Sequence, residues 1–151
     1  MFSNLAKFFQ NDDGRDEAAS AQNLRLATCV LLLEVAYADD EFSNEEQEAL
    51  QGIVARRFEL DPAATQELLA QAEQERKGAG ELFAFARQVD EHYPRARKLA
   101  ILELLWDVVY SDGVLEAHED ALMHKLGNLL SIRHEELMAL KVRVRRKHGL
   151  S

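Results

Sequence analysis

Two stretches of the chain bring carboxylates together around a bend. EVAYADDEFSNEEQEAL, Glu34 to Leu50, holds seven acids behind an apolar run, and DVVYSDGVLEAHEDAL, Asp107 to Leu122, repeats its outline. A shift of 73 residues sets Glu34 on Asp107, Tyr37 on Tyr110, Asp39 on Asp112, Phe42 on Leu115 and Glu46 on Glu119. An acid, an aromatic, an acid, a large apolar residue and an acid in one register twice point to an internal duplication. An acid in the last turn of one helix, one in the loop and one in the first turn of the next can converge across a tight corner. Oxygen ligands gathered in this way suit hard divalent ions such as calcium, magnesium or manganese, and a bound cation relieves the repulsion among the carboxylates. The candidate metal ligands are Asp39, Glu46, Asp112 and Glu119, with Glu34 and Asp107 assisting.

Capping offers a plainer account of part of this pattern. Ser43-x-x-Glu46 is a capping box, and Glu45 and Glu46 favour the positive end of a helix dipole. In the second copy Glu116 replaces the serine, yet the Asp112 and Glu119 pair persists. An EF-hand fails on spacing. Counted from Asp39, Asn44 falls where the loop glycine belongs and Leu50 where the bidentate glutamate belongs; counted from Asp112, Ala117 and Met123 fall there. No HExxH helix, serine elbow, phosphate-cradling glycine loop or CxxC pair accompanies the acids, so a non-enzymatic protein is expected. His118 reads as a surface residue or a supplementary ligand, and His92, His124, His134 and His148 share no common spacing.

The elements that must position these acids are helices. No stretch alternates apolar and polar residues as a half-buried strand would, and only two prolines interrupt the chain. Residues 18–38 and 97–110 each carry two adjacent apolar stripes and read as the central, largely buried helices. Each is followed by an acidic corner and an amphipathic helix, lined by Leu50, Ile53, Val54 and Phe58 in one case and by Leu122, Leu126, Leu129 and Leu130 in the other. Asp61-Pro62 restarts the chain into a helix with a Leu68, Leu69 and Ala72 stripe, and Leu130-Ser131-Ile132 plays the same part before Leu137, Leu140 and Val144. Gly78 and Gly80 should break the chain before a helix through Leu82, Phe83, Ala86 and Val89, which His92-Tyr93-Pro94 closes. The expected fold is all-α, with seven or eight helices in duplicated helix-loop-helix units.

At 151 residues, 47% of them apolar, the chain fits one domain with one core. Residues 18–151 are read as that domain, preceded by a short amphipathic segment and linker over residues 1–17, where Phe2, Leu5, Phe8 and Phe9 share one side. Those phenylalanines suit packing on the domain better than attachment to a membrane surface, since two turns with one lysine supply little affinity. The net charge of −9 opposes nucleic acid and favours cations or basic protein partners. Charge is uneven: residues 133–151 carry net +4 and the remainder net −13. That basic end fits a helix terminus whose cations complement the dipole and whose Gly149 ends it. Cys29 cannot form an internal disulfide, and within LATCVLLLEV it reads as a buried thiol. With no apolar run long enough for a membrane span and no secretory signal, a cytoplasmic protein is expected.

EVAYADDEFSNEE and WDVVYSDGVLEAHEDAL, with their flanking helices over about residues 20–147, resemble the TerB-like family linked with tellurite resistance and stress response. The resemblance implies an all-helical bundle and a clustered acidic surface proposed to bind metal, carried over here to Glu34, Asp39, Glu46, Asp107, Asp112 and Glu119. Asp40 stands where the second corner has Gly113, so the two loops are expected to differ in shape. A related domain is attached to J-domain co-chaperones, but this chain contains no HPD tripeptide. A metal-independent adaptor that docks a basic partner on the acidic face, or through the N-terminal segment, is the alternative function.

Overall fold

The structure, a computed structural model, describes residues 17–37, 44–79, 83–112 and 117–149. These form seven α-helices and no strand: α1 (Glu17–Tyr37), α2 (Asn44–Phe58), α3 (Pro62–Ala79), α4 (Ala84–His92), α5 (Arg95–Asp112), α6 (Ala117–Leu129) and α7 (His134–Lys147). The expected N-terminal amphipathic segment lies outside the described residues.

Both central helices are buried nearly all round. In α1 the run from Leu26 to Ala36 is buried throughout, and in α5 Ile101, Leu102, Leu105, Trp106 and Val108 are. Apolar residues on several faces require partners on several faces. Helix α1 packs most extensively on α3, and α5 on α7; α1 and α5 also pack on each other. Each central helix further touches the second helix of the opposite unit, α5 against α2 and α1 against α6. This exchange is what an internal duplication predicts, with α1-α2-α3 and α5-α6-α7 as the copies and α4 between them.

The turns carry the same signature. Helix α2 ends with Glu59 at φ 54° and α6 with Ser131 at φ 60°. The N–H of Leu60 donates to the carbonyl of Ala55 at 2.9 Å, and that of Ile132 to Gly127 at 3.0 Å. Both are Schellman-type closures, with a non-glycine residue held in the left-handed region in each. These positions are 72 residues apart, one fewer than the offset of the acidic corners.

Several expected boundaries shift. Gly78 lies inside α3, which runs on to Ala79. Phe83 is not helical: it sits at φ 66° just before α4, because its buried ring anchors the chain while the backbone turns. Asp112, expected in a corner loop, is the last helical residue of α5. Of the two tyrosines that the repeat aligns, Tyr37 is 36% exposed, with the Arg76 guanidinium 4.2 Å from its ring centroid. Tyr110 does pack inward, stacked on the buried Trp106 at 5.6 Å.

Candidate functional site

The two innermost acids of the repeated pattern are both buried, and each is held by a different set of donors. Glu34, in the last turn of α1, has no exposed surface. Its Oε1 accepts the backbone N–H of Phe85 at 3.1 Å. Helix α4 has no side-chain cap of its own, so a carboxylate from α1 meets its unsatisfied N-terminal N–H groups. Burial pushes the Glu34 carboxyl up to about 7, against the lowering effect of the Phe85 and Ala86 N–H groups and of Arg76 and Arg87. Its second oxygen, Oε2, has no hydrogen-bond partner.

Asp107, one turn from the end of α5, is likewise buried, with 2% of its side chain exposed. Basic side chains surround it. Arg57, from the last turn of α2, donates to Oδ2 through Nε at 2.7 Å and also through Nη2. Lys147 Nζ lies 3.3 Å from the same oxygen, and His148 Nε2 lies 2.7 Å from Oδ1. Burial raises the Asp107 carboxyl, but Arg57, His148 and Lys147 outweigh it and hold the group below its ordinary range. The basic C-terminal segment therefore does more than complement a dipole: it closes a buried ion cluster that joins α2, α5 and α7.

The other sequence-predicted ligands lie partly or wholly outside the described residues. Asp39 lies outside the described residues. Glu46, Asp112 and Glu119 have their backbones in α2, α5 and α6, but their side chains are outside the description, as is that of His118. Among the described residues no group of three or more His, Cys, Asp or Glu side chains is gathered for a metal ion. Arg57, Lys147, His148 and the Phe85 N–H were not foreseen as partners. Their chemistry is visible in sequence as cations at two helix ends, but the pairing depends on α2 crossing to the opposite unit, which no local pattern announces.

Cys29 is fully buried, and burial pushes its thiol up to about 12, so it is packed hydrophobic volume rather than a nucleophile. No helix among the described residues is long and apolar enough to cross a membrane. Neither the curated proteins nor the solved structures contain a match to this chain. The family model described as tellurite resistance protein TerB matches residues 25–142, which takes in most of α1, all of α2 to α6 and most of α7. On that span, and with the duplicated all-helical architecture that accompanies it, the chain belongs to the TerB family.

Proposed function

We propose that the protein is a non-enzymatic acidic module that takes up a hard divalent cation, calcium, magnesium or manganese, at its duplicated corners, in the service of stress or tellurite resistance. The observation that carries this reading is the engagement of the inner acids. Glu34 is committed to the start of α4 and Asp107 to Arg57, Lys147 and His148. A cation at the corners therefore falls to the outer acids, Asp39, Glu46, Asp112 and Glu119, while Glu34 and Asp107 fix the helix ends that carry them. Calorimetric titration with calcium and manganese, paired with thermal melting, tests it. The wild type should bind and melt higher, and an Asp39→Asn/Asp112→Asn double variant should do neither. A wild type indifferent to both ions, or a double variant with an unchanged shift, would sink the proposal.

A second reading is a metal-independent adaptor, and one feature favours it. A cleft of about 570 Å³ lies between α1, α2 and α3, where Leu33, Leu50 and Leu69 meet Gln47, Gln51 and Gln66 and the charged Glu73, Arg76 and Lys77. Polar groups converging on an apolar floor can fix and orient a bound partner. Partner capture that ignores added divalent ions and survives neutralisation of the corners, but fails on Leu69→Glu, would favour this reading over the first.

A further inference from the structure

The α6–α7 hairpin holds a pair of histidines that sequence spacing gave no reason to join. His124 lies on α6 and His134 opens α7, ten residues later, and their ring centroids are 5.3 Å apart with planes inclined by 25°. We propose that His124 and His134 together bind a borderline divalent transition-metal ion, with zinc as the probe, clasping α6 to α7 at a site separate from the acidic corners.

The rings stack, and their separation matches what two imidazoles on one ion require once rotation about each Cβ–Cγ bond, which leaves the centroids nearly in place, turns one nitrogen of each ring toward the ion. With a zinc–nitrogen bond of about 2.1 Å, each ring centroid lies about 3.2 Å from the metal, and two rings at a tetrahedral angle stand about 5.2 Å apart. Imidazole nitrogen suits zinc, copper and nickel, whereas the hard ions proposed for the corners prefer oxygen. The rings also sit on a fixed frame. The turn between them is closed by the Ser131 N–H to the Asn128 carbonyl at 3.1 Å and the Ile132 N–H to the Gly127 carbonyl at 3.0 Å. Beneath it the helices approach so closely that a Cβ on Gly127 would stand 2.8 Å from Leu137 Cδ2. His134 is exposed and His124 half-buried, so water can complete the coordination sphere.

The first unit supplies an internal contrast. Its hairpin closes through the same Schellman-type turn, but the residues 72 positions before His124 and His134 are Gly52 and Pro62, neither of which can ligate a metal. The histidine pair is therefore a property of the second copy and not of the duplicated scaffold.

The test is calorimetric titration of the untagged full-length chain with zinc chloride in the presence of excess magnesium, with melting temperature followed in parallel. One zinc equivalent should bind and raise the melting temperature. His124→Gln and His134→Ala should each weaken binding at least roughly ten-fold, the lower end of what disturbing a metal site costs. Circular dichroism confirms that both variants are folded, and His134, being exposed, should tolerate replacement in any case. The Asp39→Asn/Asp112→Asn variant should bind zinc as the wild type does, which keeps this outcome separate from that of the corner proposal. Absence of zinc binding by the folded wild type would overturn the inference. So would affinity retained after loss of either ring, or affinity lost only with the corner aspartates.

Discussion

Glu34 and Asp107 occupy the same place in two copies of one unit, yet their surroundings have opposite electrostatic consequences. Asp107 meets Arg57, Lys147 and His148; the residues 72 positions before Lys147 and His148 are Glu75 and Arg76, and the residue 72 positions after Arg57 is Leu129. One cation has thus become apolar and another has reversed sign. Where the cations are kept, charge pairing outweighs desolvation and the carboxyl is lowered; where they are lost, burial wins and the carboxyl rises to about 7. Helix α4 then supplies backbone N–H groups in place of side-chain cations. A duplicated scaffold can keep an acid at a fixed position while exchanging an ion cluster for a helix cap, so the shared acid does not imply a shared role.

The most forceful way to break this comparison is to neutralise both acids in turn. Asp107→Asn keeps the shape but leaves the Arg57 and Lys147 cations, with His148 beside them, facing an uncharged amide. Removing one partner of a buried pair costs about 3–5 kcal/mol, and solvent access to Arg57 and Lys147 reduces this to about 2–3 kcal/mol. Glu34→Gln should cost less than about 1 kcal/mol, because the amide oxygen still accepts the Phe85 N–H and no cation is stranded. Urea denaturation at neutral pH measures both. Equal losses would show that the two sites do not differ as described.

The same contrast should appear as opposite dependences on pH. The Glu34 carboxyl is raised from 4.5 to about 7 on folding, so between those values the folded state holds more protons than the unfolded one. Stability from this group is complete below about pH 4.5 and is lost as pH rises towards 7, by about 3 kcal/mol at most. Asp107 is lowered from 3.8, so its contribution is present above that value and disappears as pH falls below it. Glu34→Gln should flatten the decline between pH 4.5 and 7 and leave the acid limb, whereas Asp107→Asn should blunt the acid limb. Denaturation midpoints across pH 3–8 read both; a wild-type curve that climbs between pH 5 and 7 and is unaltered by Glu34→Gln would contradict the assignment.

The scaffold was legible in sequence because its determinants are local. The double stripes of α1 and α5, the Asp61-Pro62 restart and the His92-Tyr93-Pro94 closure each follow from neighbours within a few residues, and each appears where expected. Phe83 was misread as helical because its apolar side chain fits the α4 stripe, while its backbone is fixed by tertiary burial in the left-handed region. The surroundings of the acids were less accessible. The repeated pattern singles out Glu34 and Asp107, but their partners lie 51 and 50 residues away along the chain at Phe85 and Arg57. Only the crossing of α2 to α5 and the placement of α4 beside α1 bring them together. The histidine pair was missed for a related reason: ten residues separate the rings, and a turn, not a helical repeat, aligns them.

The smallest predicted difference between the copies lies where their third helices begin. Asp61 caps α3, with its Oδ1 accepting the Ala64 N–H at 2.7 Å, and Pro62 occupies the first helical position, where no N–H is needed. The equivalent residue before α7 is Arg133, extended at φ −64° and ψ 148°, whose side chain caps nothing. Asp61→Ala should therefore cost about 1 kcal/mol. Arg133→Asp should gain about half as much, because its backbone already suits a capping residue and an acid complements the helix dipole. The gain falls short of a full cap because Glu135 and Glu136 already place two negative charges in the first turn of α7. Urea midpoints of the two variants measure the asymmetry. A loss of stability in Arg133→Asp would mean that the exposed arginine supports α7 by some route other than the helix start, and the parallel between the third helices would end there.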